Sequence, residues 1–281
     1  MRVDIGDGCR LWFDVEGLGL VPDDDAMVER PTLILMHGGP GMDHSSFKPA
    51  FSHFADICQV VYYDHRGQGR SDRRSVDEWH LDVWADDVVR FCDALGIVKP
   101  IVLGNSFGGM VAQRYAHRHP EHPGKVVLSS TAARFDVPAV VAMFRRLGGD
   151  EVAEVAQRFW TDPTPANQVT YLDRCGLFYT QRPGNLFDNH RTVRNMELLA
   201  HFVTGEQMRF DELPSLGRVR APVLVLAGEL DPVCTMAASE EIVAALPAEL
   251  VRFERFDGCG HGVFRDDPDR AFAVLRDFIT A

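Results

Sequence analysis

Three side chains in this sequence have the types and the order needed to cleave an acyl bond. The segment Gly104-Asn105-Ser106-Phe107-Gly108 has the spacing G-x-S-x-G and lies between an apolar run and a helical pattern. A serine at its centre sits in a strained strand-to-helix turn, where side chains on the flanking positions would clash, hence the glycines. The turn lifts Ser106 above the sheet edge, at a helix N-terminus whose field favours developing negative charge. A serine hydroxyl is a weak nucleophile until a base takes its proton. Downstream, Asp231 in "VLVLAGELDPVC" and His261 in "FERFDGCGHGVF" each follow an apolar run. Serine, then acid, then histidine is the chain order that suits such a turn. Ser106 would attack a carbonyl carbon, His261 would act as base and then acid, and Asp231 would hold the imidazole tautomer. Glu229 competes for the acid role, and Asp231 before Pro232 is also a good turn residue. Glycines at 258, 260 and 262 would let the last loop carry His261 to the serine.

Acyl transfer also needs donors for an oxyanion. One is the backbone N–H of Phe107, the residue after the nucleophile. The other is sought in "LILMHGGPGMDHSSF", Leu33 to Phe47, where three glycines, a histidine and a proline crowd one turn. Gly39 is the expected donor, because glycines let a substrate carbonyl approach the backbone.

Other polar clusters carry less chemistry. His117, His119 and His122 are expected as cations at a helix C-terminus before Pro120, favoured by its dipole, not as a metal site. Asp64 and Arg66 in "YYDHRGQGRSD" are expected to brace the loops of the site through a charge-assisted bond. No cofactor and no metal are called for.

The elements that position these residues are short, β-branched apolar runs: Leu33–Met36, Gln59–Tyr63, Ile101–Leu103, Val126–Leu128, Val223–Leu226 and Leu250–Phe256. Continuous apolar runs bounded by turns suit a parallel sheet covered on both faces. Helical patterns alternate with them at Trp79–Leu95, Met110–His119, Ser239–Leu246 and Ala271–Ile279. That alternation predicts an α/β doubly wound sheet. It fails between about Ala132 and Leu216, where "VVAMFRRLGG", "EVAEVAQRFW" and "VRNMELLAHF" are helical in pattern. The expectation is a core domain of residues 1–131 and 217–281 with a helical cap of residues 132–216 over the sheet edge where ligands bind. Val21–Glu29 is acidic and is expected as a solvated loop.

Bulk properties narrow the function classes. A chain of 281 residues with 46% apolar content supports a large core, and a net charge of −12 disfavours nucleic acid and anionic membrane. The apolar runs are too short to span a bilayer, the N-terminal residues have no apolar signal core, and the six cysteines form no C-x-x-C pair. A cytoplasmic protein with free thiols is expected.

The set "HGGPG", "DHRGQGRSD", "GNSFGG", "GELDPV" and "GCGHGVF" resembles the α/β-hydrolase fold family, and within it the proline iminopeptidase branch. The resemblance implies an eight-stranded, mostly parallel sheet with helices on both faces, a helical cap, and no cofactor. In aminopeptidases of that branch, acidic groups in or near the cap hold the substrate's α-ammonium. Here Ala200 stands about where one such acid is expected, and Pro232 follows the catalytic-acid position. Asp188, Glu197 and Glu206 are the substitutes considered. Phe144, Phe159, Trp160, Phe178, Tyr179, Phe187 and Phe202 make the cap aromatic, and Glu197, Phe144, Trp160 and Phe202 are the candidate substrate contacts.

The expected activity is hydrolysis of a small ester, lactone or amide through an acyl-enzyme. The expected partner is a small molecule or short peptide, and the sequence specifies no oligomeric state. Proline iminopeptidase-type aminopeptidase activity is the narrower alternative. A non-hydrolytic lyase using His261 for proton abstraction, or a non-enzymatic receptor, are the more distant ones. Epoxide hydrolase and haloalkane dehalogenase chemistry needs a carboxylate where Ser106 stands.

Overall fold

The computed structural model describes residues 1–182 and 191–281. The strands are β1 (Arg2–Asp4), β2 (Arg10–Glu16), β3 (Leu20–Asp23), β4 (Ala26–Glu29), β5 (Thr32–Met36), β6 (Gln59–Tyr63), β7 (Ile101–Asn105), β8 (Lys125–Ser129), β9 (Val223–Gly228) and β10 (Val251–Phe256). The helices are α1 (Leu81–Leu95), α2 (Phe107–Arg118), α3 (Val137–Gly148), α4 (Asp150–Thr161), α5 (Pro165–Arg174), α6 (Met196–Thr204), α7 (Met236–Ala245), α8 (Val263–Asp266) and α9 (Pro268–Thr280).

Eight strands form one sheet in the order β1-β2-β6-β5-β7-β8-β9-β10. From β6 to β10 every pairing is parallel; β1 and β2 add antiparallel. The alternation of side chains through the pleat divides the core between two faces. Ile34, Met36, Val102 and Val225 pack with Trp84, Phe91, Val111 and Tyr115 of α1 and α2. Leu33, Leu35, Leu103 and Leu226 pack on the other side with Leu275, Phe278 and Ile279 of α9. Both faces are therefore covered, which is why the central strands read as unbroken apolar runs. No helix among the described residues is long and apolar enough to cross a membrane.

Between β8 and β9 the described residues form helices α3 to α6, with a single isolated bridge, Arg134 to Asp211. Val140, Phe144, Ala156, Phe159 and Tyr171 form their own cluster, joined by Val233 and Cys234 from the β9 loop. The helical segment thus packs against the strand end that carries Asp231.

Two sequence expectations need correction. Residues 21–29 are not an irregular loop: β3 and β4 pair in register as a separate ribbon. The tight turn at Asp24 and Asp25 uses a left-handed Asp24, φ 48°, a conformation that Asp tolerates better than most residues. The ribbon is mostly exposed, so its solvation hides it from hydrophobic patterning. The helix expected at Met110 begins at Phe107 instead, because the backbone turns from strand to helix within the single residue Ser106.

Candidate active site

Ser106 occupies a strained backbone, φ 54° and ψ −117°, between β7 and α2. Its N–H donates to Ser129 O at 2.9 Å, and the Thr131 hydroxyl donates to Ser106 O at 2.8 Å. Surrounding contacts therefore hold a conformation that a non-glycine residue seldom adopts. The flanking glycines are required by close approach. A Cβ on Gly108 would lie 2.1 Å from Met36 O, and one on Gly104 would lie 2.3 Å from Gly108 O. The first turn of α2 is thus pressed onto the end of β5, and Ser106 stands half-buried in the cavity wall.

His261 Nε2 lies 3.0 Å from Ser106 Oγ. Its Nδ1 lies 2.8 Å from Asp231 Oδ2 and 3.0 Å from Oδ1. Asp231 is fully buried, and its Oδ1 also accepts the N–H groups of Val233 and Cys234 at 2.8 and 2.9 Å. A carboxylate so placed holds the imidazole proton on Nδ1 and leaves Nε2 to accept from the serine. The rival Glu229 is turned outward, where it accepts from Gly258 N at 3.0 Å and sits 3.9 Å from Arg146. The loop bearing His261 is fixed from the helical segment: His261 N donates to Tyr179 O at 2.8 Å, and the two rings meet edge-on at 5.1 Å. A Cβ on Gly260 would lie 2.7 Å from Tyr179 O. Of the three loop glycines, Gly260 has this steric need, Gly258 takes a left-handed φ of 66°, and Gly262 is extended.

Gly38, Gly39, Pro40, Ser106 and Phe107 line one cavity of 320 Å³. Gly39 adopts φ 58°. Among the described residues the N–H groups of Gly39 and Phe107 have no acceptor, so both are free to bind an oxygen at the cavity floor. The turn is held from behind by Gly41 N donating to Gln68 Oε1 and Asn195 N donating to Gly41 O, both at 2.7 Å. His37 and His65 pack beside each other below it, centroids 4.7 Å apart. Burial pushes both below the ordinary histidine range, His65 well below it, so both are neutral scaffolding.

The other polar candidates find structural partners. Asp64 and Arg66 do not bond to each other. Asp64 accepts from His44 N, His44 Nδ1 and Arg70 N at 2.7–3.0 Å. Arg66 makes a two-pronged pair with Asp87, both contacts at 2.7 Å, and reaches Asp7 and Glu78. His117, His119 and His122 go to three different partners, Glu212, Asp86 and the Tyr115 hydroxyl.

The candidate substrate contacts divide. Trp160 lines the cavity, whereas Phe144 and Phe202 do not. Phe144 is buried inside the helical segment, edge-on to Tyr171 at 5.8 Å. Phe202 is buried against Phe107 and Trp84 at 5.1 and 5.7 Å, where it supports the serine turn from the core side. Glu197 is exposed on α6 and outside the cavity wall. Glu206 accepts from Leu81 N at 2.8 Å, at the start of α1. Asp188 and Phe187 lie outside the described residues. Sequence reasoning did not single out Phe47, Phe51, Phe135, Tyr171, Leu199 and Val203, which line the cavity; their apolar character is that of core residues, so type alone carries no signal. Among the described residues the carboxylate in the wall is Asp43. It is already held by Arg70 at 2.7 Å and by the N–H groups of Ser45 and Val193 at 3.0 Å. Burial raises its pKa, but these bonds outweigh burial and hold it below the usual range. The cations of the wall are Arg194 and Arg265.

Comparison with known proteins agrees with this architecture. The chain is 27% identical over 264 residues to the proline iminopeptidase PfmaB of Pestalotiopsis fici, covering 89% of this chain and 92% of that one. It is 25% identical over 258 residues to the putative carbamate hydrolase RutD of a Caulobacter species, strain K31, covering 87% and 94%. The crystal structure of a proline iminopeptidase from Mycobacterium smegmatis superposes with a TM-score of 0.78 at 25% identity, over 100% of this chain and 97% of that one. The family model for the alpha/beta hydrolase fold matches residues 31–268, so this chain belongs to the α/β-hydrolase fold family.

Proposed function

We propose that this chain is a serine hydrolase that cleaves a small carboxylic ester, lactone or amide with an apolar acyl part, through an acyl-enzyme. The observation that carries the reading is the hydrogen-bond chain from Ser106 Oγ through His261 to buried Asp231, at the floor of an aromatic cavity. In the reaction, Ser106 Oγ attacks the carbonyl carbon while His261 Nε2 takes the hydroxyl proton. The C=O electron pair moves onto oxygen, and that oxyanion accepts from Gly39 N–H and Phe107 N–H. The scissile bond then breaks, and His261 returns the proton to the departing oxygen or nitrogen. A water molecule enters by the same steps in reverse order of partners and releases the acid. Asp231 stays ionised throughout and balances the imidazolium. Each oxyanion donor contributes about 3 kcal/mol to the transition state.

The aminopeptidase reading, taken from the names of several relatives, receives less support from the cavity. A substrate ammonium needs an available buried carboxylate, and among the described residues the carboxylate of the cavity wall, Asp43, is already committed to Arg70 and the N–H groups of Ser45 and Val193. A fluorophosphonate probe tests the mechanism: the adduct is expected on Ser106, and labelling at any other residue rejects it. p-Nitrophenyl esters assayed beside proline and alanine β-naphthylamides test the substrate class. Ester turnover exceeding amide turnover supports the reading, and the opposite preference replaces it with the aminopeptidase.

A further inference from the structure

A third donor stands beside the Asp231–His261 pair. Cys234 follows Asp231 by three residues, and its N–H already holds the carboxylate. Its Sγ, a carboxylate oxygen of Asp231 and a ring nitrogen of His261 all lie within 4.8 Å of one another. Cys234, though buried, and His261 both line the cavity. The six cysteines are free and buried, and Cys234 is the one in the cavity wall.

We propose that Cys234, Asp231 and His261 form a binding site for a thiophilic divalent cation of the Zn²⁺ or Cd²⁺ kind, and that occupancy switches the enzyme off. The inhibitory consequence rests on the serine hydrolase reading; the binding does not. Thiolate, imidazole and carboxylate are the ligand types that such ions select, with water as a fourth. Two ligands about 2.1 Å from a tetrahedral ion stand about 3.5 Å apart. The trio therefore contracts modestly around the ion, while the Nδ1–Asp231 pair, now 2.8 Å, opens by less than 1 Å. Charge also balances: a dication meets one carboxylate and one thiolate, which offsets the cost of burying each.

The proton accounting explains the loss of activity. Metal binding releases the Cys234 thiol proton to solvent. The ion takes the Nδ1 lone pair, so the Nδ1 proton leaves and Nε2 gains one. His261 then presents Nε2–H to Ser106 and can no longer accept the hydroxyl proton. Substrate can still enter the cavity, but the nucleophile has lost its base.

Zinc chloride titrated into the full-length enzyme is expected to abolish ester turnover, with recovery on adding EDTA. Cys234→Ser and Cys234→Ala, each compared with its own metal-free rate, should raise the half-inhibiting zinc concentration by more than about tenfold, since loss of even an outer-sphere partner commonly costs that much. Cadmium chloride gives a readout without turnover. The ultraviolet thiolate-to-cadmium band should develop in the wild type and in Ser106→Ala and be absent in Cys234→Ser. A wild type without that band, or Cys234 variants as zinc-sensitive as the wild type, overturns the proposal. Failure of the hydrolase reading shows separately, as absent metal-free turnover with the cadmium band intact.

Discussion

His261 Nδ1 lies 2.8 Å from Asp231 Oδ2, and the carboxylate has no exposure to water. Such a carboxylate governs which ring nitrogen carries the proton. Asp231→Asn keeps the shape but presents an amide N–H to Nδ1, favouring the tautomer with the proton on Nε2. The expected result is a loss of about 10⁴-fold in kcat with KM little changed. Steady-state ester kinetics check it, and a loss below tenfold would remove Asp231 from the role assigned to it.

Gly39 carries the second proposed oxyanion donor in a left-handed conformation, and a Cβ there would meet Met42 Cγ at 2.7 Å. Gly39→Ala should displace the N–H and lower kcat by about 10²-fold. Because the first obstacle is a flexible side chain, Met42→Ala added to Gly39→Ala should restore part of the loss. The φ strain prevents full recovery. Kinetics of the two single variants and the double variant decide it, and strict additivity would mean that Met42 is not the obstacle.

Glycines in the same chain should differ sharply in tolerance. Gly108→Ala drives a methyl into the Met36 carbonyl at 2.1 Å, an overpacking against backbone that should cost about 1–3 kcal/mol or more. Gly258→Ala meets no atom within 4 Å and carries only the cost of its positive φ, about 1 kcal/mol. Urea denaturation of both variants ranks them; equal midpoints would show that the α2–β5 contact yields easily.

The neutral histidines beneath the glycine turn that carries Gly39 set a pH dependence. Burial lowers the folded-state values of His37 and His65, while an unfolded chain protonates its histidines near pH 6.5. Below that pH the unfolded state binds more protons, so stability falls as pH drops. The loss runs at about 1.4 kcal/mol per pH unit for each such histidine until its folded pKa is reached. His65→Gln should lose less stability than the wild type between pH 7 and pH 5. Parallel urea midpoints for the two proteins across that range would contradict it.

What the sequence determined by itself is local. Gly104, Ser106 and Gly108 specify the serine turn because their constraint acts within five residues. The central strands were legible because burial on both faces makes them continuous apolar runs. β2 (Arg10–Glu16) was not, because its charged residues and its partner β6, some fifty residues away, leave little local signal. Tertiary structure alone decided the rest. Glu229 and Asp231 are chemically similar and two residues apart, yet only Asp231 points inward to His261. Phe144 and Trp160 are both aromatic residues of amphipathic helices, but the helical segment buries one against itself and turns the other to the cavity. Cys234 looked like any buried thiol until the fold set it beside His261. Type and order along the chain select a chemistry; which member of a similar pair performs it depends on direction, and direction exists only once the elements have packed.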